Sequence, residues 1–227
     1  LVFCRLRWHG ELFILGVPLG TPMATRRAIF LVDDDAFSLM AWKGILHATP
    51  YYVEAYQTPH ALLARVTPSD RGCVVVDLRM PGMSGLELQR ALQERGVALP
   101  LIFVSGGADV PAAVRAMKQG AIDFLCKPVL SDDLLAAIER AMHRDEKNAA
   151  DRDAREAALA RWRELTPREQ SLCGLVSRGL LNKQIAAELG VAESTVQAQR
   201  TRLLKKLAVA SVAELLELIA KVRQDPA

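Results

Sequence analysis

"VVVDLRMPGMSG", residues 74–85, is the stretch that decides the fold of this chain. Three β-branched residues without polar alternation describe a strand covered on both faces, as in a parallel sheet flanked by helices. The run ends in Asp77, and a carboxylate placed where burial ends is costly unless something cationic meets it. Ser84, with Glu87 three residues on, forms the capping box of a following helix.

Outward from this strand, "AIFLV" (28–32), "YYVEAY" (51–56), "CVVVD" (73–77), "LIFVS" (101–105) and "AIDFL" (121–125) read as five strands. Helical patterns lie between them, over about 36–47, 59–66, 84–95 and 109–119. The alternation predicts an α/β fold over residues 26–142, a five-stranded doubly wound parallel sheet. Ser131, Asp132 and Asp133 put oxygen and negative charge at the start of a fifth helix. "HRDEKNAADRDAREAALARW", residues 143–162, is rich in Ala and mixed charge without Gly or Pro, and predicts a solvated helical linker continuing that helix. Beyond it, Thr166, Pro167 and Glu169 supply an N-cap, a first-turn proline and a capping acid. Helices over about 167–178, 182–188, 193–207 and 211–222, with Gly179 and Gly190 at turns, predict a small all-α domain over residues 163–227.

The 227 residues, 51% of them apolar, suffice for one large or two small domains. Cys4, Cys73, Cys126 and Cys173 are isolated from one another, with no metal-ligand spacing, and read as buried small hydrophobes of a reducing cytosol. No apolar run approaches the ~20 residues that span a bilayer, so no membrane partner and a cytoplasmic location are expected. "LFILGVPLG", residues 12–20, imitates an export-signal core, but Pro18 and Gly20 interrupt it. Met23 opens "MATRRAIFLVDDD" like a natural start, so residues 1–25 are expected to be an N-terminal extension, disordered or not native.

In the strand order 2-1-3-4-5, common for this architecture, strands 1 and 3 are neighbours, and ligands bind beyond their carboxyl ends. Strand 1 ends in "VDDD" and strand 3 in Asp77, so Asp33, Asp34 and Asp77 should converge. Converging carboxylates either take up protons or hold a divalent cation, and hard oxygen ligands with open positions suit Mg²⁺. Ser105 and Lys127, at the ends of strands 4 and 5, bring a hydroxyl and an ammonium to the same face. The set suits phosphoryl transfer to Asp77, in which catalysis is mainly positioning and charge neutralisation. Asp35 reads as the cap of the first helix.

"FLVDDD", "VVVDLRMPGMSG", "IFVSGG" and "DFLCKP" together resemble the receiver domain of two-component response regulators, a flavodoxin-like fold. The resemblance implies that Asp77 is the phosphoacceptor. It also implies that Asp33, Asp34, Asp77 and the backbone carbonyl of Arg79 bind Mg²⁺, Asp33 through water. Ser105 and Phe124 would be the switch pair, and a cis peptide would precede Pro128 after Lys127.

From Ser194 to Lys206 the chain carries Arg200, Arg202, Lys205 and Lys206 and no acid, which points to a polyanion partner. On a helical wheel Val196, Leu203 and Leu207 share the core face, with Gln197, Ala198, Thr201 and Lys205 opposite and Arg202 at the edge. Such a face can reach base edges and phosphates in a major groove. "LTPREQSLCGLVSRGLLNKQIAAELGVAESTVQAQRTRLLKKL" resembles the LuxR-type helix-turn-helix of NarL/FixJ response regulators. By that resemblance Lys183, Thr195, Arg202 and Lys206 hold phosphates, and Gln197 and Thr201 face bases. Ala192, Gln197 and Gln199 depart from the family's usual serine, lysine and histidine, which bears on the operator sequence.

The expectation is a transcription regulator that accepts a phosphoryl group from a sensor histidine kinase and binds double-stranded DNA, as a homodimer when phosphorylated. It is not expected to be an enzyme beyond its own phosphoryl transfer and dephosphorylation. Two other classes remain: a phosphate-independent dimeric regulator with a pseudo-receiver, and an aspartyl-phosphate phosphatase. The latter needs an acid two residues after its nucleophile, where this chain has Arg79.

Overall fold

The computed structural model describes Arg7–Trp8, Glu11–Ile14, Val17–Pro18 and residues 27–107 and 110–223. The expectation for residues 1–25 falls mostly outside these; within that stretch three short strands pair antiparallel in sequence order. The chain divides into two compact units, residues 1–148 and 149–227.

The first unit is built on β1 (Ala28–Val32), β2 (Tyr52–Tyr56), β3 (Gly72–Asp77), β4 (Leu101–Ser105) and β5 (Asp123–Cys126). They form one parallel sheet, as the alternation predicts, in the order β2-β1-β3-β4-β5 that is common for this architecture. Because successive side chains point to opposite faces, neighbouring residues of one strand enter different cores. Phe30, Val32, Val74, Val76 and Phe103 pack with α2 (Pro59–Arg65), α3 (Gly85–Glu94) and α4 (Val110–Lys118). Ile29, Leu31, Val75, Ile102 and Val104 pack with α1 (Ala36–Leu46) and the first turns of α5 (Ser131–Arg163). A strand flanked on both sides has no polar face, and this is why residues 74–76 are all valine.

Arg71 Nε donates to Asp145 Oδ2 at 2.9 Å, joining the entry of β3 to α5 across 74 positions of sequence. Helix α5 does continue to residue 163, as expected, but it is not solvated throughout. Asp145 is 1% exposed beneath the sheet, and Ala158 and Trp162 belong to the core of the second unit. Cys73 and Cys173 are buried, whereas Cys126 is exposed, contrary to the expectation for it. It ends the edge strand β5, where one flank has no neighbouring strand to cover it.

The second unit holds α6 (Pro167–Ser177), α7 (Asn182–Leu189), α8 (Glu193–Lys206) and α9 (Val212–Arg223) around Leu172, Val176, Ile185, Val196, Leu203 and Leu215. Gly190 ends α7 at φ 66°, a left-handed turn that a side chain would disfavour. Among the described residues no helix is long and apolar enough to cross a membrane.

Candidate functional site

Register places the acids. Val32 of β1 pairs with Val76 of β3, so Asp33, the next residue, stands level with Asp77. Asp77 pairs with Val104, the residue before Ser105, and Ser105 pairs with Cys126, the residue before Lys127. Four strands thus deliver Asp33, Asp77, Ser105 and Lys127 to one edge of the sheet. Gly85 lets the loop after β3 close over that edge: a Cβ there would lie 2.6 Å from the Asp77 carbonyl oxygen and 3.0 Å from the Phe103 ring.

Asp33, Asp34, Asp35, Asp77, Arg79, Gly106, Gly107 and Lys127 line a cavity of about 350 Å³. Lys127 Nζ lies 2.6 Å from Asp33 Oδ2 and 2.7 Å from Asp77 Oδ1, and 5.5 Å from the centre of the Trp42 ring. Asp77 Oδ2 accepts from the Arg79 N–H at 2.6 Å, and Asp33 Oδ1 from the Asp35 N–H at 2.9 Å. Burial raises the Asp33 carboxyl above its ordinary value, and the hydrogen bond from Lys127 offsets only part of this. Burial would lower the Lys127 ammonium, but the hydrogen bonds it donates to Asp33 and Asp77 outweigh it and the net direction is up. The lysine therefore stays charged between the two acids.

Asp34 is exposed at the cavity, and Asp35 caps α1, its carboxylate accepting from the Phe37 and Ser38 N–H groups. Ser105 is 1% exposed, and its hydroxyl donates to the Gly107 carbonyl at 3.2 Å rather than into the cavity. Phe124 is half-buried against the core on the α2–α4 side, and the Lys127–Pro128 peptide is cis. Gly106 and Gly107 complete the cavity wall, a part the sequence marks only by the pair of glycines in "IFVSGG".

Among the described residues, no three His, Cys, Asp or Glu side chains come together as a group able to hold a metal ion, so Asp33, Asp34 and Asp77 do not converge as a triad. The donor set still fits Mg²⁺, which takes one or two carboxylates and keeps positions for phosphate oxygens and water.

In the second unit Val196, Leu203 and Leu207 are buried as the wheel predicts, and Lys183, Thr195, Gln197, Ala198, Thr201, Arg202 and Lys205 are exposed. Ala192 starts α8 with no side-chain cap. Two of the basic residues are held by protein partners that the sequence does not reveal. Lys206 Nζ lies 2.8 Å from Glu169 Oε2, which also accepts from the Thr166 N–H at 2.8 Å. Arg200 donates to Asn182 Oδ1 at 2.6 Å, tying α8 to the first turn of α7. Lys183, Arg202 and Lys205 have no such partner among the described residues.

Residues 29–139 match the family model "Response regulator receiver domain", and residues 163–219 match "Bacterial regulatory proteins, luxR family". The chain is 37% identical to Nodulation protein W of Bradyrhizobium diazoefficiens over 87% of each chain. It is 36% identical to Transcriptional regulatory protein FixJ of Azorhizobium caulinodans, over 88% of this chain and 94% of that one. Among solved structures, it is similar to response regulator StyR at TM-score 0.73 and 39% identity, over 87% of this chain and all of that one. Full-length FixJ from B. japonicum aligns at TM-score 0.52 and 34% identity, over 87% of this chain and 97% of that one. With the acids of its sheet edge and the basic face of α8 now located, this chain belongs to the two-component response regulators of the NarL/FixJ type, a receiver domain followed by a LuxR-type DNA-binding domain.

Proposed function

We propose that Asp77 accepts a phosphoryl group from the phosphohistidine of a sensor histidine kinase, and that this switches the C-terminal unit on double-stranded DNA. The observation carrying the proposal is Lys127 Nζ held 2.7 Å from Asp77 Oδ1 at the wall of an open cavity. In the transfer an Asp77 carboxylate oxygen forms the new P–O bond while the P–N bond to the histidine breaks. Lys127 neutralises developing charge on the phosphoryl oxygens, the main task of catalysis in such transfers. Asp33, Asp34, Asp77 and the Arg79 carbonyl would hold Mg²⁺, which supplies further neutralising charge when bound. Ser105 would leave Gly107 to hydrogen-bond a phosphoryl oxygen, with Phe124 turning inward beside it; the charge added at Asp77 biases this pair.

On DNA, Lys183, Thr195, Arg202, Lys205 and Lys206 meet phosphates and Gln197 and Thr201 face base edges, with phosphorylated chains binding as a homodimer to paired half-sites. Intact mass and solution size of the wild type and Asp77→Ala, with Mg²⁺ and a small phosphodonor, test the switch. A one-phosphoryl gain confined to the wild type, with dimerisation or tighter DNA binding, is expected. Equal gain in Asp77→Ala overturns the assignment of Asp77.

A further inference from the structure

The last residues of α5 meet the far end of α8. Arg161 NH1 donates to the carbonyl of Leu207, the C-cap of α8, at 3.0 Å, and Arg155 Nε to the carbonyl of Lys221 in the last turn of α9 at 3.3 Å. A guanidinium at a helix C-terminus both satisfies an orphan carbonyl and complements the helix dipole. Ala154, Ala158 and Arg161 recur at i, i+4 and i+7 on one face of α5, and line a cleft of about 190 Å³ with Ala208 and Glu214.

The carbonyl it caps belongs to a strained end. Ala208, just past the cap, has φ 51°, the one positive φ at a non-glycine among the described residues. The N–H groups of Ala208 and Val209 return to the carbonyls of Lys205 and Leu204, a Schellman ending in which glycine normally takes the left-handed position. Such a conformation is disfavoured for a residue with a Cβ and persists where surrounding contacts hold it. Arg161 is such a contact, and it lies in residues 140–162, which neither family match covers.

We infer that Arg161 is a positioning residue for DNA recognition: from α5 it holds the C-terminal end of α8, so that residues 149–162 act as part of the DNA-binding unit and not as a spacer. This rests on α8 being the helix that meets DNA.

The test uses the full-length chain with Mg²⁺ and a small phosphodonor, a duplex selected by the wild type from a random pool, and an unselected duplex, each titrated with salt. Arg161→Ala, checked by circular dichroism to be folded, should bind the selected duplex about tenfold more weakly, the loss of one charge-assisted hydrogen bond. Its affinity for the unselected duplex and its salt slope should match the wild type, and Arg161→Lys should recover part of the loss. Ala208→Gly should restore binding in the Arg161→Ala background and change little in the wild type. Wild-type affinity in Arg161→Ala overturns the inference. So does equal loss on both duplexes with a reduced salt slope, which would make Arg161 a phosphate contact, or the same gain from Ala208→Gly in both backgrounds. If the wild type, treated in the same way, enriches no duplex from the pool and does not bind the unselected one, α8 is not a DNA helix, and the reading of the second unit fails with the inference.

Discussion

Lys127 Nζ stands 2.7 Å from Asp77 Oδ1 although β4 separates their strands in the sheet. The contact is possible because Lys127 lies beyond the end of β5, where the chain is free to lean across the edge. Removing the ammonium leaves Asp77 in place but strips charge from the transfer. Lys127→Met should slow phosphorylation by a small phosphodonor on the order of a hundredfold, as for loss of one group stabilising an oxyanion. Stopped-flow fluorescence of Trp42, which lies under the lysine, gives the rate.

The Lys206 hydrogen bond, then the Thr166 N–H, hold the Glu169 carboxyl down to about 2, below its ordinary value of 4.5. A carboxyl depressed on folding contributes stability that is complete above the ordinary value and is lost as pH falls through the depressed one. Amide exchange at the start of α6, where the Gln170 N–H meets the Thr166 carbonyl, should therefore quicken between about 4.5 and about 2. Glu169→Gln should remove that acid dependence while leaving α6 helical.

Phosphate contacts and base contacts separate by salt. Arg202→Ala and Lys205→Ala should each flatten the plot of log affinity against log salt by about 0.9 per bound protomer on any duplex. Gln197→Ala should leave the slope alone and change which duplexes are preferred. A flattened slope in Gln197→Ala would move that residue to the backbone.

Asp145 is buried and Arg71 Nε reaches it at 2.9 Å, while Asp145 Oδ1 has no hydrogen-bond partner among the described residues. Arg71→Ala should destabilise the first unit by roughly 2–4 kcal/mol, somewhat less than for a fully enclosed pair because Arg71 keeps contact with water. Replacing both by leucine should recover most of that. Urea titrations followed by circular dichroism check the difference.

The strands and their acidic ends were legible because strand ends and apolar runs are local signals: "VDDD", Asp77, Ser105 and Lys127 each close a run, whereas the strand order rested on the one common for this architecture. The capping acids of α3 and α6 were legible for the same reason. What stayed hidden depends on partners far along the chain. Glu169 and Lys206 lie 37 positions apart, and nothing in either segment names the other. The exposure of Cys126 follows from β5 being an edge, a property of the assembled sheet. Ala158 is buried in a run that reads as solvated, because alanine marks neither face of a helix.

The register between β1 and β3 carries one more consequence. Ala28 pairs with Gly72 and Val32 with Val76, so each strand counts the same number of residues from its entry to its acid. One residue inserted into either strand would turn every following side chain into the opposite core and carry the acid away from Lys127. Substitutions along these strands therefore perturb packing by degrees, whereas a single insertion dismantles hydrophobic layers and chemistry together. Changes of length can accumulate only in the loops at the opposite end of the sheet, which are free to diverge while the acidic edge keeps its dimensions.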